Sequence, residues 1–257
     1  MTDLWSSVVW LFVLTLVLIV LKREVQKALF GLGFRLTAGW PDWNRRKRTA
    51  IILHYIVMWP GIFVHEFSHW IVALLLGARP SAPQVQLKIN RSSVELGSVS
   101  TMKVGAIRGS LIGAAPLLGG TLVILLLADL AFGVRLGPDR SAAEGLASVL
   151  GNLGRYARAA DAWVWVYCIF AVSNSMLPSP ADRQEWRRVL VVLALASAAV
   201  VVLGGVPQLP LELVEALQYV IDTLGFAFGL TIVVDLVVLA ILLACDAVLA
   251  VLGAEPR

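Results

Sequence analysis

The stretch Gly61–Ala78, GIFVHEFSHWIVALLLGA, decides how this chain is interpreted. Most of its residues are apolar, as in a helix that crosses a membrane, yet it contains His65, Glu66 and His69. Ionisable side chains at the depth of a bilayer are costly, and by default they mark a functional site. The chain has only three histidines, so the presence of two of them in this helix, four residues apart, requires a chemical explanation.

The composition of the whole chain indicates an integral membrane protein. Its 257 residues are 59% hydrophobic and 15% charged, whereas a soluble domain has about 45–50% apolar and about 25% charged residues. The net charge of +4 comes from basic residues that flank apolar runs, and no interleaved basic and aromatic patch indicates a nucleic-acid partner. Cys168 and Cys245 both lie inside apolar runs, which argues against a disulfide framework.

Runs of about 20 apolar residues are long enough to cross a bilayer. Six such runs predict an all-α polytopic membrane protein with about six transmembrane helices and short loops. The first run lacks a basic N-terminal flank, so we expect a retained helix rather than a cleaved signal peptide. The last run could begin as early as Leu217. The six runs are Leu4–Leu21, Ile51–Leu76, Ile107–Leu130, Ala162–Leu177, Val189–Val206 and Phe226–Leu252.

Three connections between these runs differ in composition. Residues 22–48 hold eight lysines and arginines and are predicted to include a basic loop. Within residues 80–104, the segments VQLKIN and SVELGSV alternate apolar and polar residues, which predicts a small β-hairpin at Val85–Val99 directly after the histidine-containing helix. Residues 133–160 form a polar loop with room for a short helix at Ala142–Leu153.

The two histidines of the opening stretch have the spacing of a zinc site. Residues four apart lie on one face of a helix, so His65 and His69 present their imidazoles side by side. This is the HExxH arrangement, in which the glutamate after the first histidine activates a water molecule. Glu66 is therefore predicted to be the general base.

A catalytic zinc takes three protein ligands and keeps one position open. The remaining histidine, His54, lies about 16 Å from His65 along a helix axis at 1.5 Å per residue, so we expect it to line the path to the site or to pack against a neighbouring helix. The third ligand should therefore be a carboxylate. The candidates near or within apolar runs are Asp129, Asp161, Asp182, Asp235 and Asp246.

Asp182 is the favoured third ligand because of the sequence around it, VSNSMLPSPADRQEW. Pro178 and Pro180 break a helix and free backbone carbonyls. Irregular backbone at membrane depth is tolerated only inside the protein or along a wet cavity. Asp235, in TIVVDLVV, is the rival, and it would otherwise be a buried polar packing residue.

Together these motifs resemble the site-2 protease family of zinc intramembrane metalloproteases. That family has HExxH in a membrane helix and, two helices later, an Asn-Pro-Asp motif whose aspartate is a zinc ligand. Asn174 and Asp182 match the second motif, with the family's interval of eight residues. The segment GAAPLLGG (Gly113–Gly120) resembles the small-residue motif of the intervening helix. The predicted hairpin Val85–Val99 falls where many members have a β-element.

The resemblance implies three regions along the chain. Residues 51–188 would be a three-helix catalytic core that includes the hairpin loop 80–104. Residues 1–50 would be an accessory first helix with its basic loop, and residues 189–257 would be two accessory helices. The expected location is multi-pass in a membrane, namely the plasma membrane of a prokaryote.

The resemblance also implies an activity. The chain would be a zinc-dependent endopeptidase that cleaves transmembrane segments of membrane proteins, with one Zn²⁺ per chain. His65, His69 and Asp182 would hold the metal, Glu66 would be the general base, and Asn174 would bind the extended substrate. The expected partners are a transmembrane protein substrate and the lipid bilayer.

Three other readings remain open from the residues alone. A catalytically silent pseudoprotease would bind membrane partners without needing Glu66. A CAAX-type membrane metalloprotease would take its third ligand from a later glutamate. A metal-ion transporter would have polar residues spread over several helices, whereas here they cluster at two points. The later glutamates, all in or beside loops, are Glu144, Glu185, Glu212 and Glu215.

Overall fold

The fold is a set of apolar helices with one short pair of strands. The computed structural model describes residues 2–89, 94–102, 104–133, 142–156, 158, 160–184, 186, 189–192, 194–195 and 210–253. In chain order its elements are α1 (Thr2–Leu36), α2 (Trp43–Leu75), β1 (Lys88–Ile89), β2 (Val94–Glu95), α3 (Ala106–Phe132), α4 (Ala142–Gly151), α5 (Leu153–Tyr156), α6 (Ala162–Met176) and α7 (Leu211–Gly253).

Within the described residues, four helices are long and apolar enough to cross a membrane. They span Leu4–Leu36, Trp43–Leu75, Ala106–Phe132 and Leu211–Leu252. Large apolar side chains are exposed on their outer faces, which would be unfavourable in water and is compatible with lipid contact. The described chain is thus all-α and compatible with an integral membrane protein. Examples of these exposed side chains are Trp5, Phe12, Ile107, Leu122 and Leu252.

The predicted count of six transmembrane helices is not confirmed. The fourth predicted helix is α6, which has only 15 residues and falls short of the length that spans a bilayer. It ends because Leu177 precedes Pro178, and a residue before proline avoids the helical conformation; Leu177 is extended. The predicted helix at 189–206 falls largely outside the described residues. The part of it that is described, residues 189–192 and 194–195, is helical.

The basic segment after the first apolar run is helical rather than a loop. Helix α1 continues past Leu21 to Leu36, because residues such as Lys, Arg, Gln and Leu are good helix formers. The connection is limited to residues 37–42, and Asp42 caps α2 by accepting a hydrogen bond from the backbone N–H of Asn44 at 2.9 Å. The prediction of a basic loop over residues 22–48 was therefore wrong for most of its length.

Two other predicted boundaries can be compared with the structure. Helix α4 (Ala142–Gly151) confirms the short helix predicted in the polar connection. Helix α7 begins at Leu211, six residues before the earliest start predicted. Pro210 directly precedes it, and Glu212 places a negative charge in its first turn, where the helix dipole favours one.

The strands form a narrow antiparallel ladder between α2 and α3. Lys88 pairs with Glu95 and Ile89 with Val94. Further from the turn, Gln84 and Ser98 exchange both backbone hydrogen bonds, at 3.0 and 2.9 Å. The full predicted hairpin is not confirmed, because residues 90–93 at its turn lie outside the described part of the chain.

Helices α1 and α7 pack side by side along much of their length and run in the same direction. Near their starts, Gln218 donates a hydrogen bond to the hydroxyl of Ser7 at 2.6 Å. Near their ends, Arg35 pairs with both carboxylate oxygens of Asp246. The residue numbers rise together on both helices, which establishes the parallel arrangement.

Helices α2, α3 and α6 pack against one another at glycine contacts. A Cβ on Gly61 of α2 would overlap the carbonyl oxygen of Ala171 of α6, and a Cβ on Gly120 of α3 would overlap the side chain of Met176. Small residues let helix backbones approach closely in membranes. The contact at Gly61 brings His65, one turn further along, within reach of α6.

We predict that Gly61→Ala destabilises the protein. The added methyl group meets backbone rather than a flexible side chain, and such overpacking costs about 1–3 kcal/mol. Thermal unfolding of the detergent-purified variant should show a lower midpoint than wild type. Gly31→Ala is the matched control because a Cβ there has nothing within 4 Å. Equal midpoints for the two variants would contradict the contact between α2 and α6.

Candidate metal centre

The two histidines of α2 face each other as their spacing predicts. The Nε2 atoms of His65 and His69 lie 3.2 Å apart. His69 is buried and His65 is partly buried. Since α2 is helical throughout Trp43–Leu75, this proximity follows directly from the i, i+4 geometry.

Backbone carbonyls of two other helices orient the imidazoles. Nδ1 of His65 lies 2.6 Å from the carbonyl oxygen of Ser175 in α6. Nδ1 of His69 lies 2.8 Å from the carbonyl oxygen of Ile112 in α3. A carbonyl can only accept, so each Nδ1 carries the hydrogen, and each neutral ring presents a lone pair at Nε2. Such partners fix the tautomer of metal-binding histidines.

Asp182 completes the group from the segment after α6. Its Oδ1 lies 3.1 Å from Nε2 of His69 and its Oδ2 lies 3.7 Å from Nε2 of His65. The backbone N–H of Ser179 donates to Oδ2 at 2.6 Å, and the backbone N–H of Asp182 donates to the Ser179 hydroxyl at 3.3 Å. This reciprocal pair holds the carboxylate toward the histidines.

The surroundings of Asp182 keep its carboxylate ionised. Burial by itself would raise the pKa of Asp182, but a proton carried at Nε2 of either imidazole in place of a metal ion, together with the backbone N–H of Ser179, outweighs it. The pKa of Asp182 therefore lies below its ordinary value. An ionised carboxylate is the form that binds a metal.

The three side chains fit a divalent metal ion. One potential ligand atom from each of His65, His69 and Asp182 lies within 4.8 Å of the others. Two imidazole lone pairs 3.2 Å apart repel each other unless a cation or a proton lies between them. Ligands about 2.0–2.2 Å from a tetrahedral zinc lie roughly 3.3–3.6 Å from one another, close to the separations of these atoms. Imidazole and carboxylate donors are ligands that zinc accepts.

Glu66 lies in the same cavity as the three candidate ligands. The cavity has a volume of about 1170 Å³ and is lined by α1, α2, the segment from β2 to α3, α3, the end of α6 and the segment that follows α6. Glu66 is 8% exposed, and a Cβ on Gly97 would lie 2.7 Å from its Cγ and 2.8 Å from its Oε1. The chain after β2 therefore packs directly on this carboxylate.

The structure separates the two aspartates that the sequence made rivals. Asp182 lies with the histidines, whereas Asp235 is fully buried in α7 beside Asn174. The side-chain amide of Asn174 donates to Oδ1 of Asp235 at 2.7 Å. Asn174 itself lines the cavity, as expected for a substrate contact.

The other polar candidates have separate surroundings. His54 lines the same cavity and stacks on Phe30, with 4.8 Å between ring centroids; it is not part of the three-residue group. Asp161 precedes α6 and accepts a hydrogen bond from Trp165 at 2.9 Å. Asp246 pairs with Arg35. Asp129 lies near the end of α3.

Ser179 and Gly97 are site residues that the sequence reasoning missed. Ser179 could have been found, because SPAD at residues 179–182 has the Ser-x-x-Asp spacing of a reciprocal cap. Gly97 carried no such signal, since its contact with Glu66 joins segments far apart in the chain. The carbonyls of Ile112 and Ser175 are likewise invisible in a side-chain pattern.

No protein-family model matches this chain, and neither a curated protein nor a solved structure matches it. A function proposed for it therefore depends on the chemistry of its own residues.

We predict that the purified chain binds about one divalent transition metal and that Asp182→Ala sharply lowers the amount bound. The variant leaves two ligands, fewer than the three that catalytic zinc sites use. Elemental analysis of the detergent-purified protein measures this directly. Asp235→Ala is the control and should retain metal, because Asp235 lies outside the group. If the Asp182 variant retained its metal and the Asp235 variant lost it, the assignment of Asp182 as the third ligand would be contradicted.

Proposed function

We propose that this chain is a zinc-dependent intramembrane endopeptidase that cleaves transmembrane segments of membrane proteins. The observation that carries the proposal is the convergence of two oriented imidazoles and one carboxylate within 4.8 Å, in a cavity that also holds Glu66. His65, His69 and Asp182 would hold the ion. The chemistry that zinc supplies when bound is Lewis-acid polarisation of a carbonyl and a lowered pKa of water.

Glu66 is the residue that moves protons in this proposal. It follows His65 in the helix and lines the cavity beside both histidines. A carboxylate in this place accepts a proton from the attacking water and returns it to the leaving amine. A protein that only bound its partners would not need this group, which favours an enzyme over a catalytically silent pseudoprotease.

The identity of the third carboxylate bears on the class of enzyme. A CAAX-type membrane metalloprotease would use a glutamate from a later helix at this position. Among the residues that the structure describes, the acidic side chain grouped with the two histidines is Asp182. The aspartate therefore favours the site-2 type of intramembrane protease.

The edge of the ladder beside Glu66 suits an extended substrate. Ser98 directs both of its backbone hydrogen bonds to Gln84, so the backbone groups of its neighbours Gly97 and Val99 face the opposite edge. Both neighbours line the cavity. A substrate strand that pairs with this edge would have its peptide bonds withdrawn from helical hydrogen bonds and held next to the general base.

The substrate class follows from the surroundings of the site. Helix α2, which carries the two histidines and Glu66, is one of the four apolar helices long enough to cross a membrane. Substrates that reach this depth are themselves membrane segments, so a transmembrane protein is the proposed partner. A prokaryotic plasma membrane stays a prediction from the sequence.

We predict that Glu66→Gln abolishes cleavage while the metal is retained. Loss of a general base lowers rates by about 10²–10⁴-fold, whereas the three ligands are unchanged. The measurement is cleavage of a panel of synthetic transmembrane peptides in detergent micelles, with products identified by mass spectrometry. If the wild-type protein binds zinc but cleaves neither the peptides nor casein, the result would favour a catalytically silent protein that only binds membrane partners.

We predict that Gly97→Ala lowers the cleavage rate without loss of metal. The new methyl group would lie 2.7–2.9 Å from the Glu66 side chain, so the carboxylate must move away from its place in the cavity. Gly31→Ala is again the matched control and should cleave at the wild-type rate. A Gly97 variant with full activity would show that Glu66 does not act from the position seen here.

A further inference from the structure

Asp235 is a fully buried carboxyl group that the proposed metal chemistry does not use. It lies in the middle of α7, with 0% of its surface exposed. Its Oδ2 has no hydrogen-bond partner among the described residues. A buried, half-satisfied carboxyl group in an apolar helix is costly, and such groups require a functional explanation.

Its bond to Asn174 has a defined direction. The amide nitrogen of Asn174 donates to Oδ1 of Asp235 at 2.7 Å and to the carbonyl oxygen of Phe170 at 3.0 Å. Both partners accept, so the amide nitrogen must face them and the amide oxygen cannot. Reversing the amide would place its oxygen against two acceptors.

This direction limits what Asn174 can offer to the cavity. An amide nitrogen has two hydrogens, and these two partners use both. The group of the side chain that remains available is its carbonyl oxygen, which can only accept hydrogen bonds. Asn174 lines the cavity together with the candidate metal ligands.

We infer that Asp235 is a positioning residue that makes Asn174 an acceptor for one backbone N–H of an extended peptide substrate. The inference rests on the proposed function and adds a specificity to it. A substrate residue without an N–H at that place, such as proline or an N-methylated residue, is disfavoured. Without Asp235, only the carbonyl oxygen of Phe170 would still favour this orientation, and the amide could turn over and offer a donor instead.

A packing residue on the same helix behaves differently. Thr231, one turn before Asp235 and also fully buried, donates to the carbonyl oxygen of Ala227 in its own helix at 2.7 Å. Asp235 instead reaches across to Asn174 of α6. The carboxyl group thus connects α7 to a residue of the cavity.

The experiment measures peptide binding in the Glu66→Gln background, so that it does not depend on cleavage. The probe is the fluorescently labelled transmembrane peptide of the panel that binds tightest, with a series in which one residue at a time is N-methylated. N-methylation at positions that pair with the ladder edge should weaken binding in every variant. We expect one further position at which N-methylation weakens binding about tenfold, as for one lost hydrogen bond. That loss should disappear in Asn174→Ala and in Asp235→Leu. The double variant should bind the N-methylated peptide as each single variant does.

Two further variants separate positioning from structure. Thr231→Val should keep the full N-methyl effect, and Asp235→Asn should keep most of it, because an amide oxygen can still accept from Asn174. Asp235→Ser, whose hydroxyl is too short to reach, replaces the leucine variant if that one does not fold, with retained metal content as the criterion of folding.

The opposite results are equally clear. If every N-methyl effect persists in Asp235→Leu or Asp235→Ser, or if no position is sensitive, the inference is overturned. Cleavage by the Glu66-containing protein is measured separately, so peptides that bind with the expected N-methyl effect but are never cut would overturn the protease proposal alone.

Discussion

The backbone carbonyls of Ile112 in α3 and Ser175 in α6 hold the two imidazoles of α2. For both hydrogen bonds to form, the backbones of three apolar helices must approach one another until these polar atoms lie within about 3 Å. Glycine makes this approach possible where α2 crosses α6, because any larger residue at Gly61 would overlap the neighbouring backbone. The same helix contacts therefore determine how the three helices pack and which nitrogen of each histidine is free to bind a metal.

The sequence predicted the parts of the site that depend on local geometry. Two histidines four residues apart on an apolar helix can hardly avoid sharing a face. The prolines after α6 indicated where the backbone leaves the helix, and the structure brings Asp182 from that segment to the histidines. In each case one short window of sequence contained both the side chain and the reason for its placement.

The remaining features depend on contacts between distant segments and left no pattern in any window. The bond between Asn174 and Asp235 joins residues 61 positions apart, and apolar periodicity alone cannot tell a packing aspartate from one that orients an amide. Helices α1 and α7 extend beyond their apolar runs because their polar ends are also good helix formers and pack on each other. Hydropathy shows which part of a helix is apolar, but it does not show at which residue the helix ends.

The parallel course of α1 and α7 has a consequence for topology. Two helices that cross a bilayer in the same direction enter from one face and leave by the other. The start of α1 and the end of α7 would then belong to different compartments, which requires an odd number of crossings. The four long apolar helices among the described residues and the six that the apolar runs predict are both even numbers, so neither count by itself agrees with this arrangement. A reporter fused at either end would thus sense a different redox and proteolytic environment.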